Sequence, residues 1–567
     1  MAEPLHETKA QRVERLKREK NAWEHLDEIR AFARRGFDKI PPEWLSTYFR
    51  SWGVYTQGDG AGVTGGSGGE GKAVPYFMVR IRVPNGILNS AQLHAIARAG
   101  ELYARGIVDI TVRQNFQLHW ITIENLPELL ESLWQAGLTT LGTCGDVTRN
   151  ITGCPVAGLD AEETLDASPL TLELNRFFVG NADFYNLPRK FKISLTGCPA
   201  WCSYPEINDI GLTALRRKRS GCEEAGFSLR VAGGLSTQPH LGSRLDAFVQ
   251  PSQVVPVVRA ISELFRDADV LRQSREQARL KFLSLKHGWN AETFLEEIHK
   301  RLSFRLDPAE EETLPSDLYR DHVGIHSQKQ ADKVYIGVSV LRGRLEARQL
   351  LAVAELAERF ASGEVRTTAM QNLIVVNVPR SNAEPLAREL HAIGLNVEAS
   401  PFWRGAVACT GTEFCKLAIT ETKSFARWVV EELEGQVPGF DQQLKLNITG
   451  CPNSCGQHWI ADLGLEGKKI KVDGKLADAY YFCIGGSVGR VQALARPVGY
   501  RCLASEVPKS IVRLLGHYTV ERGNGESLQQ FFARKSNDEI RSYLAGTATQ
   551  AVPRDLPSGP VPHNVEG

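Results

Sequence analysis

The order of apolar and polar residues predicts the same set of secondary-structure elements in two parts of the chain. Strict alternation marks the strands, and apolar residues three or four positions apart mark the helices. Strand, helix, strand and helix follow one another within about seventy residues, which predicts a small α+β unit with its helices on one face of a sheet. The first set comprises 77–83, 90–104, 110–122 and 126–136, and the second comprises 334–341, 346–361, 365–378 and 383–393.

Short identical segments recur at a constant distance along the chain. Gln114-Asn115 returns as Gln371-Asn372, an offset of 371 − 114 = 257, and two further dipeptides share this offset. A Thr-Gly-Cys motif that ends at Cys198 returns at Cys451, an offset of 451 − 198 = 253. Two copies of so long a unit indicate a duplicated pair of domains related by pseudo-twofold symmetry, and not a solenoid.

Composition restricts the compartment and the partners. At 567 residues the chain is too long for one core, and its net charge of +1 argues against nucleic acid as the main partner. No apolar run approaches the length that spans a membrane, and the charged N-terminal segment carries no export signal. Eleven cysteines, an odd number, fit metal ligation in a reducing compartment better than a set of disulfides. We therefore expect a cytoplasmic multidomain protein.

Four cysteines in two pairs carry the strongest chemical signal. Five residues separate Cys409 from Cys415 and three separate Cys451 from Cys455, in segments rich in Gly, Thr and Pro. Four thiolates that a fold brings together can hold a cubane iron–sulfur cluster. The alternatives are a structural zinc site, disulfides or scattered buried cysteines. The five-residue gap is wider than zinc pairs usually show, and the expected compartment disfavours disulfides.

Together these motifs resemble those of the siroheme-dependent nitrite and sulfite reductases, from Trp52 to Leu544. The resemblance implies an internally duplicated α+β fold. Two ferredoxin-like half-domains and two larger α/β domains of the siroheme and [4Fe–4S] type would be related by pseudo-twofold symmetry. It also implies that the four cysteines hold one [4Fe–4S] cluster, and that Cys455 bridges this cluster to the siroheme iron.

The first copy differs from the second in its cysteines. It keeps Cys198 and Cys202 but has no Cys-x5-Cys pair, and Cys144 and Cys154 are the nearest candidates. We expect these cysteines to be remnants of a half-site without a cluster, so that the chain carries a single cluster.

Four basic residues match the anion pocket of the family: Arg80, Arg149, Lys190 and Lys192. Polar and apolar residues alternate after Lys190, so a strand would place both lysines on one face. Two ammonium groups on one face repel each other unless an anion lies between them. The residues alone fit a half-exposed strand with solvated lysines equally well. The resemblance favours the anion site, where arginines would grip the anion and lysines would donate protons.

The carboxylates of siroheme call for a cradle of basic and amide groups. Alternation places four polar residues of the first copy on one strand face, although an ordinary solvated face would show the same pattern. The resemblance assigns them, and positions of the second copy, to the macrocycle. It also matches Tyr55 and Cys144 to a thioether cross-link of some bacterial sulfite reductases. The predicted cradle residues are Arg113, Asn115, Gln117, His119, Arg366, Gln371, Asn372 and Arg490.

The pattern and the resemblance divide the chain into six segments. These are an N-terminal helical extension with a Gly-rich loop (1–70), the first ferredoxin-like half-domain (71–140), a first siroheme-type domain with anion-site residues and no cluster (141–315), the second ferredoxin-like half-domain (316–398), the domain that binds the [4Fe–4S] cluster and siroheme (399–545), and a disordered tail (546–567).

The resemblance implies a monomeric enzyme that reduces sulfite to sulfide with six electrons from reduced ferredoxin and binds neither nucleic acid nor membranes. Lys192 favours sulfite, because plant-type nitrite reductases of the family have asparagine here; reduction of nitrite to ammonia is the alternative. A non-catalytic iron–sulfur electron carrier and a structural zinc protein are the remaining alternatives.

No strand–GxGxxG–helix unit predicts a dinucleotide site, so a small acidic ferredoxin would dock on the chain. The basic runs at 9–20 and 216–219 are candidate docking patches.

Overall fold

The structure is a computed structural model that describes residues 7–58, 74–198, 200, 202–219, 221–312, 320–489 and 492–547. Most of the predicted Gly-rich loop, the predicted tail after residue 547, and Arg490 lie outside the described residues. Within them the fold is α+β, as the sequence predicts, with four five-stranded sheets.

The first half-domain is built on the alternating strand and the two helices that the sequence predicts. It also takes in β1, which belongs to the segment predicted as an N-terminal extension. Its elements, with the preceding helices, are α1 (Lys9–Glu19), α2 (Leu26–Arg35), α3 (Phe49–Ser51), β1 (Val54–Thr56), β2 (Phe77–Ile81), β3 (Ile87–Asn89), α4 (Ser90–Tyr103), β4 (Ile107–Ile110), β5 (Phe116–Ile121) and α5 (Leu126–Gln135).

The first large domain follows, with a sheet that mixes parallel and antiparallel pairs. The order of its strands is β10-β9-β8-β7-β6, in which β6, β7 and β8 are parallel neighbours and β8, β9 and β10 are antiparallel. Its elements are β6 (Thr152–Gly153), α6 (Ser168–Phe178), β7 (Ile193–Thr196), β8 (Ile210–Arg219), β9 (Cys222–Val231), β10 (Ser243–Val249), α7 (Val254–Arg266), α8 (Lys281–His287) and α9 (Ala291–His299).

The second copy repeats both domains. The strand order β16-β17-β18-β19-β20 has the same directions as the sheet of the first large domain. Its elements are β11 (Gly324–Ser327), β12 (Lys333–Val338), β13 (Arg344–Glu346), α10 (Ala347–Phe360), β14 (Glu364–Thr367), β15 (Leu373–Pro379), α11 (Ala383–Ala392), α12 (Pro401–Gly405), β16 (Ala406–Ala408), α13 (Lys423–Gln436), β17 (Leu446–Thr449), β18 (Leu463–Val472), β19 (Lys475–Ile484), β20 (Arg496–Leu503), α14 (Val507–Glu521), α15 (Leu528–Arg534) and α16 (Asn537–Ala545).

The two half-domains exchange strands. The sheet orders are β1-β2-β5-β4-β13 and β11-β12-β15-β14-β3, so each sheet ends on a strand from the other copy. This exchange covers an edge of each sheet with backbone hydrogen bonds. A single apolar core runs through both half-domains, while each large domain has a core of its own. The half-domains are therefore one structural unit.

The predicted strands at 110–122 and 365–378 are wrong, because each is a hairpin of two strands. Gln114 and Gln371 stand in the turns with φ of 60° and 64°, which reverses the chain. The Nε2 group of Gln114 donates to the Thr367 carbonyl at 3.0 Å, and that of Gln371 donates to the Ile110 carbonyl at 2.9 Å. The two amides thus join the copies across the pseudo-twofold axis.

No helix among the described residues is both long and apolar enough to cross a membrane.

The turn at Gly343 offers a test of this junction. Its φ is +64°, and an added Cβ would lie 2.7 Å from the Ile110 carbonyl oxygen and 2.8 Å from Cβ of Gln371. We expect Gly343→Ala to cost about 2–4 kcal/mol, since it combines backbone strain with a clash against backbone. Thermal unfolding should then begin roughly 5 °C or more below that of the unmodified protein.

Gly474→Ala is the matched control for this experiment. Gly474 has a similar φ of +80°, but nothing lies within 4 Å of an added Cβ. It should therefore show only the strain contribution, about 1 kcal/mol. Equal shifts for the two variants would contradict a close-packed junction at Gly343.

Candidate active site

Strand topology brings the four predicted cluster cysteines together. Cys409 directly follows β16, and Cys451 lies two residues after β17. These two strands are parallel neighbours, so their carboxyl ends meet at one edge of the sheet. Cys415 and Cys455 stand in the loops that continue from this edge.

Electrostatics links Cys455 to the other three thiols. Burial is the main cause that raises the pKa of Cys415 and of Cys451 to about 12 and that raises the pKa of Cys409; the charge of Cys455 is the second cause in each case. The backbone N–H of Gly450 donates to the Cys409 sulfur at 3.2 Å. Hydrogen bonds of this type stabilise thiolates at cluster sites.

The spacing of these sulfurs fits a cluster better than a single ion. Within the part of the chain that the structure describes, no three of the four come within 4.8 Å of one another. Ligands of one zinc ion would lie closer, because each is about 2.3 Å from the metal. A cubane binds each thiolate through a different iron and needs the wider spacing. The donor set therefore fits a [4Fe–4S] cluster.

Two of the predicted anion-site arginines share a backbone carbonyl. Arg80 donates to the Thr143 carbonyl at 3.3 Å and to the Cys144 sulfur at 3.0 Å. Arg149 donates to the same Thr143 carbonyl at 3.1 Å and to the Gly145 carbonyl at 2.9 Å. The loop at 143–145 thus holds both guanidinium groups together.

The predicted lysines lie just before β7, not within it. Phe191 between them is fully buried, so both lysines point away from the core and are half-buried. Burial and the charge of Arg279 lower the pKa of Lys190 to about 7, and Cys455 opposes this shift. Burial, Arg113 and Arg279 lower the pKa of Lys192 well below its usual range. Lys190 therefore lies within electrostatic reach of the proposed bridging cysteine.

Asp209 and Arg279 belong to this site, and the sequence analysis missed both. Asp209 accepts the backbone N–H of Lys192 at 2.8 Å and pairs with the Arg279 guanidinium at 2.8 Å. Asp462 accepts the N–H of Lys445 at 2.7 Å in the second copy, at the same offset of 462 − 209 = 253. The repeated aspartate was a usable sequence signal for Asp209. Arg279 has no such repeat. The position 279 + 253 = 532 in the second copy is a phenylalanine, so no sequence signal marked Arg279 as a site residue.

The remaining positions around the lysines are held by buried amides. Arg113 donates to the Asn208 side chain at 2.8 Å and to the Asn150 carbonyl, and Asn150 in turn donates to the Arg113 carbonyl at 2.9 Å. Burial and the charge of Arg149 lower the pKa of Arg113 to about 9. Fully buried Arg82 donates to the Arg149 carbonyl at 3.0 Å and fixes the backbone there.

The cluster of basic groups has little negative charge to balance it. Neither ammonium group of Lys190 or Lys192 makes a hydrogen bond or ion pair with a described residue. Asp209 is the acid in most direct contact with these basic groups, and its carboxylate already forms an ion pair with Arg279. Buried cations without counter-ions are costly. The site therefore fits a ligand with several carboxylates, such as siroheme, together with a small anion. The basic groups are Arg80, Arg113, Arg149, Lys190, Lys192 and Arg279.

Two of the predicted cradle residues lie in the first sheet near the cluster loops. Gln117 is directly opposite Arg80 in the register of β2 and β5, so the two share a sheet face. His119 is buried, stacks on Phe414 with ring centroids 3.9 Å apart, and lies 3.3 Å from Asp109. Phe414 precedes Cys415, so this stack joins the first sheet to the cluster loop.

Three other predicted cradle residues have different surroundings. Asn115 and Asn372 accept the backbone N–H groups of Val83 and Val340, at 3.2 and 2.8 Å, which is a turn-forming role repeated in each copy. Gln371 serves the junction described above. Arg490 lies outside the described residues.

The guanidinium group of Arg366 binds residues outside the predicted cradle. Its guanidinium pairs with Glu364 at 2.7 Å and donates to the Ala157 carbonyl at 2.7 Å, in the loop after Cys154. These partners place it in the first copy's half-site, so we leave it out of the proposed cradle.

The predicted cross-link partners both contact Arg80. Its guanidinium carbon lies 5.9 Å from the centre of the Tyr55 ring, and its Nη1 donates to the sulfur of Cys144. Tyr55 and Arg149 also line a cavity of about 60 Å³ that opens beside this loop.

Comparison with known proteins agrees with this geometry. The family profile "Nitrite and sulphite reductase 4Fe-4S domain" matches residues 144–306 and 400–547, and "Nitrite/Sulfite reductase ferredoxin-like half domain" matches 70–136 and 326–393. The chain belongs to the nitrite and sulfite reductase family. It is therefore an oxidoreductase, with an iron–sulfur cofactor implied by the family.

Relatives within this family carry two kinds of name. An assimilatory ferredoxin-dependent nitrite reductase of Haloferax mediterranei is 36% identical, over 91% of this chain and 90% of its own length. Sulfite reductase [ferredoxin] 2 of Mycolicibacterium paratuberculosis is 34% identical, over 90% and 92%. The solved structure of the Mycobacterium tuberculosis NirA protein superposes with a TM-score of 0.88 at 34% identity, covering 93% of this chain and 97% of that one. The family is thus shown, and the substrate is left open between sulfite and nitrite.

Substitution of Asp209 tests the site, and the same substitution at its counterpart Asp462 is the control. We expect Asp209→Asn to lower kcat/KM for sulfite and nitrite roughly 5- to 150-fold, because a buried polar partner lost from Arg279 and Lys192 typically costs about 1–3 kcal/mol. Asp462→Asn makes the matched change in the second copy, where the carboxylate bonds to Lys445. Steady-state kinetics at equal cofactor content should separate the two variants. Equal losses would show that Asp209 acts only through folding.

Proposed function

We propose that the protein reduces sulfite to sulfide with six electrons, at a siroheme that Cys455 couples to a [4Fe–4S] cluster. The observation that supports this most directly is the pair of half-buried lysines that have no hydrogen-bond or ion-pair partner among the described residues, one of them within electrostatic reach of Cys455. Lys190 feels the charge of Cys455, and Lys192 feels that of Lys190. An anion between them would be bound next to the cysteine that serves both cofactors.

The cofactors would store and deliver electrons, and the protein would bind the anion and supply protons. Arg80 and Arg149, held by the Thr143 carbonyl, would orient the oxygens of the anion. Lys190, whose pKa burial lowers to about 7, would hold a proton that is easily released at neutral pH. Cys409, Cys415, Cys451 and Cys455 would ligate the cluster. Arg113, Gln117 and His119, joined by Arg279, would hold the carboxylates of the macrocycle.

Lys192 is the reason for choosing sulfite. Its ammonium group adds a second positive charge and a second proton donor to the site. Sulfite carries more negative charge and one more oxygen than nitrite, so it gains more from both. Asp209 holds the Lys192 backbone in place through its N–H group.

Nitrite is the second candidate, because a relative at 36% identity over 91% of this chain is named a nitrite reductase. The same basic groups would bind nitrite, and the same number of electrons would reduce it to ammonia.

Reduced ferredoxin is the proposed electron donor, as the names of relatives say for those proteins. Most of the basic side chains in the predicted docking patches are already paired with acids. Arg217 and Arg219 both pair with Asp307 at 2.7 Å, and Arg15 pairs with Glu7 and Glu19. We therefore propose the donor without a docking surface.

Substitution of Lys192 tests the choice of substrate. We expect Lys192→Asn to lower turnover of sulfite about 30- to 1,000-fold and turnover of nitrite much less, because a charge-assisted contact that strengthens in the transition state is worth roughly 2–4 kcal/mol. Steady-state rates on both anions with the same reduced ferredoxin provide the measurement, and NADPH alone should give no turnover.

Lys445 is the matched control, since it occupies the position 192 + 253 = 445 in the second copy. Lys445→Asn should change both rates by the same factor. A wild-type protein far faster on nitrite would overturn the proposal in favour of the second candidate. Equal losses on both anions in Lys192→Asn would show that this lysine does not discriminate.

The arrangement around Arg80 supports a covalent bond between Tyr55 and Cys144. Formation of this thioether is a two-electron oxidation: the C–H bond of the ring and the S–H bond of the thiol break, a C–S bond forms, and an added oxidant such as dioxygen takes up the two electrons and two protons. Peptide mapping by mass spectrometry should therefore find both residues in one cross-linked peptide, about 2 Da lighter than the two separate peptides together. Tyr55→Phe gives the control, in which Cys144 should appear as a free thiol. Separate unmodified peptides in the wild-type protein would remove the idea.

A further inference from the structure

Three cysteines of the first copy form a compact group away from the predicted cluster. The sulfur of Cys154 lies 4.0 Å from that of Cys198 and 3.9 Å from that of Cys202, and all three lie within 4.8 Å of one another. None of them is in a disulfide. Cys154 and Cys198 are almost completely buried.

Strand register shows that this group is the counterpart of the cluster site. Gly153 pairs with Leu195, and Ala408 pairs with Ile448 at 195 + 253. The N–H groups of Gly153 and Ala408 bond to Gln114 and Gln371, both at 3.0 Å. Cys154 therefore corresponds to Cys409, just as Cys198 corresponds to Cys451 and Cys202 to Cys455.

The fourth cysteine of the cluster site has no counterpart here. Thr164 bonds to the Gly197 carbonyl as Ile419 bonds to the Gly450 carbonyl, an offset of 419 − 164 = 255. The same offset places Asp160 at the position of Cys415. Asp160 pairs with Arg320 at 2.7 Å, so its carboxylate is already engaged. The ligands for a second cubane are thus incomplete.

The geometry of the three sulfurs suits one metal ion. Two of the sulfur–sulfur distances are 4.0 and 3.9 Å, and the third is below 4.8 Å. Tetrahedral Zn–S bonds of about 2.3 Å place their sulfurs about 3.8 Å apart, so this group is close to the spacing that one zinc ion requires. This spacing is tighter than that of the four predicted cluster ligands, no three of which come within 4.8 Å. A site of three thiolates, largely shut off from water, selects a soft or borderline ion such as Zn²⁺.

A buried histidine lies near the group, although its ring nitrogens are not within 4.8 Å of all three sulfurs. His322 is 5% exposed, and its Nε2 atom has no hydrogen-bond partner among the described residues. Its Nδ1 lies 3.4 Å from the hydroxyl of Tyr335, which packs in one apolar cluster with the three cysteines. The backbone at His322 packs directly against Gly337, where any side chain would collide with the His322 carbonyl. Gly337 corresponds to Arg80 of the first copy, at 80 + 257.

We propose that Cys154, Cys198 and Cys202 bind a structural zinc ion, and that the His322 side chain moves toward the three sulfurs to supply Nε2 as the fourth ligand. Binding would displace the protons of the three thiols and leave Nδ1 of the histidine to bond with Tyr335. The ion would join the first large domain to the segment that enters the second half-domain. This site does not depend on the proposed reaction.

Metal analysis of the untagged holoprotein tests the site. We expect about one zinc per chain by mass spectrometry of the elements, and a zinc K-edge absorption spectrum with three sulfurs at about 2.3 Å and one nitrogen at about 2.0–2.1 Å. The double variant Cys154→Ser/Cys202→Ser should lose zinc at least tenfold while it keeps the iron and the siroheme absorption. Cys222→Ser, which changes an exposed cysteine, should keep all of the zinc.

Three outcomes would overturn the proposal. They are less than about a tenth of a zinc per chain in the wild-type protein, zinc without sulfur ligands, and an iron content that shows a second cluster. The spectrum of the wild-type protein decides the question even where the double variant does not fold.

His322→Ala should replace the nitrogen with an oxygen ligand, and His326→Ala should not. An unchanged spectrum in His322→Ala would reject His322 as the fourth ligand.

Discussion

The exchange of strands between the two half-domains is the constraint on which the rest of the structure depends. β3 and β13 each complete the sheet of the other copy, and the amides of Gln114 and Gln371 bond across the junction to backbone of both copies. These amides also hold Gly153 and Ala408, the residues that precede Cys154 and Cys409. One buried junction therefore sets the position of both cysteine loops relative to both sheets.

The two equivalent sites that this junction creates have opposite chemistry. In the first sheet the corresponding positions carry the polar residues Arg80, Gln117 and His119, of which Arg80 bonds to the loop at 143–145 and His119 stacks on Phe414 beside Cys415. The offset of 257 replaces them with Gly337, Ile374 and Val376 in the second sheet. The two aliphatic side chains pack against Cys154, Cys198 and Cys202 in an apolar cluster. Symmetry of the backbone thus supports a polar, positively charged site on one side and a close-packed one on the other.

Positive charge is also distributed unevenly between the two copies. The basic groups around Lys190 and Lys192 come from the first half-domain and the first large domain, and Lys190 lies within electrostatic reach of Cys455 in the second. Burial and the positive charge of neighbouring arginines lower the pKa of both lysines, and among the described residues Asp209 is the acid most directly in contact with the group. Such a site is unfavourable until an anion enters it, which is a physical reason for expecting carboxylates and a small oxyanion there.

The sequence by itself determined the duplication and the α+β class, and it singled out the four cysteines of the second copy; the basic residues around Lys190 were singled out by the family resemblance. These depend on residue identity and on a constant offset, both of which can be read along the chain. It did not reveal the hairpins at Gln114 and Gln371, because the reversal depends on a positive φ that glutamine rarely adopts.

Only the tertiary structure decided which residues share a site. Arg279 reaches Asp209 from a loop seventy positions away, and Arg366 turns to the carbonyls near Cys154 instead of the macrocycle. The group of Cys154, Cys198 and Cys202 is defined by parallel pairing of β6 with β7, which places loops from distant parts of the chain at one edge of the sheet. Contacts of this kind depend on register and on which side chain is already engaged, and neither is encoded in the spacing of residues.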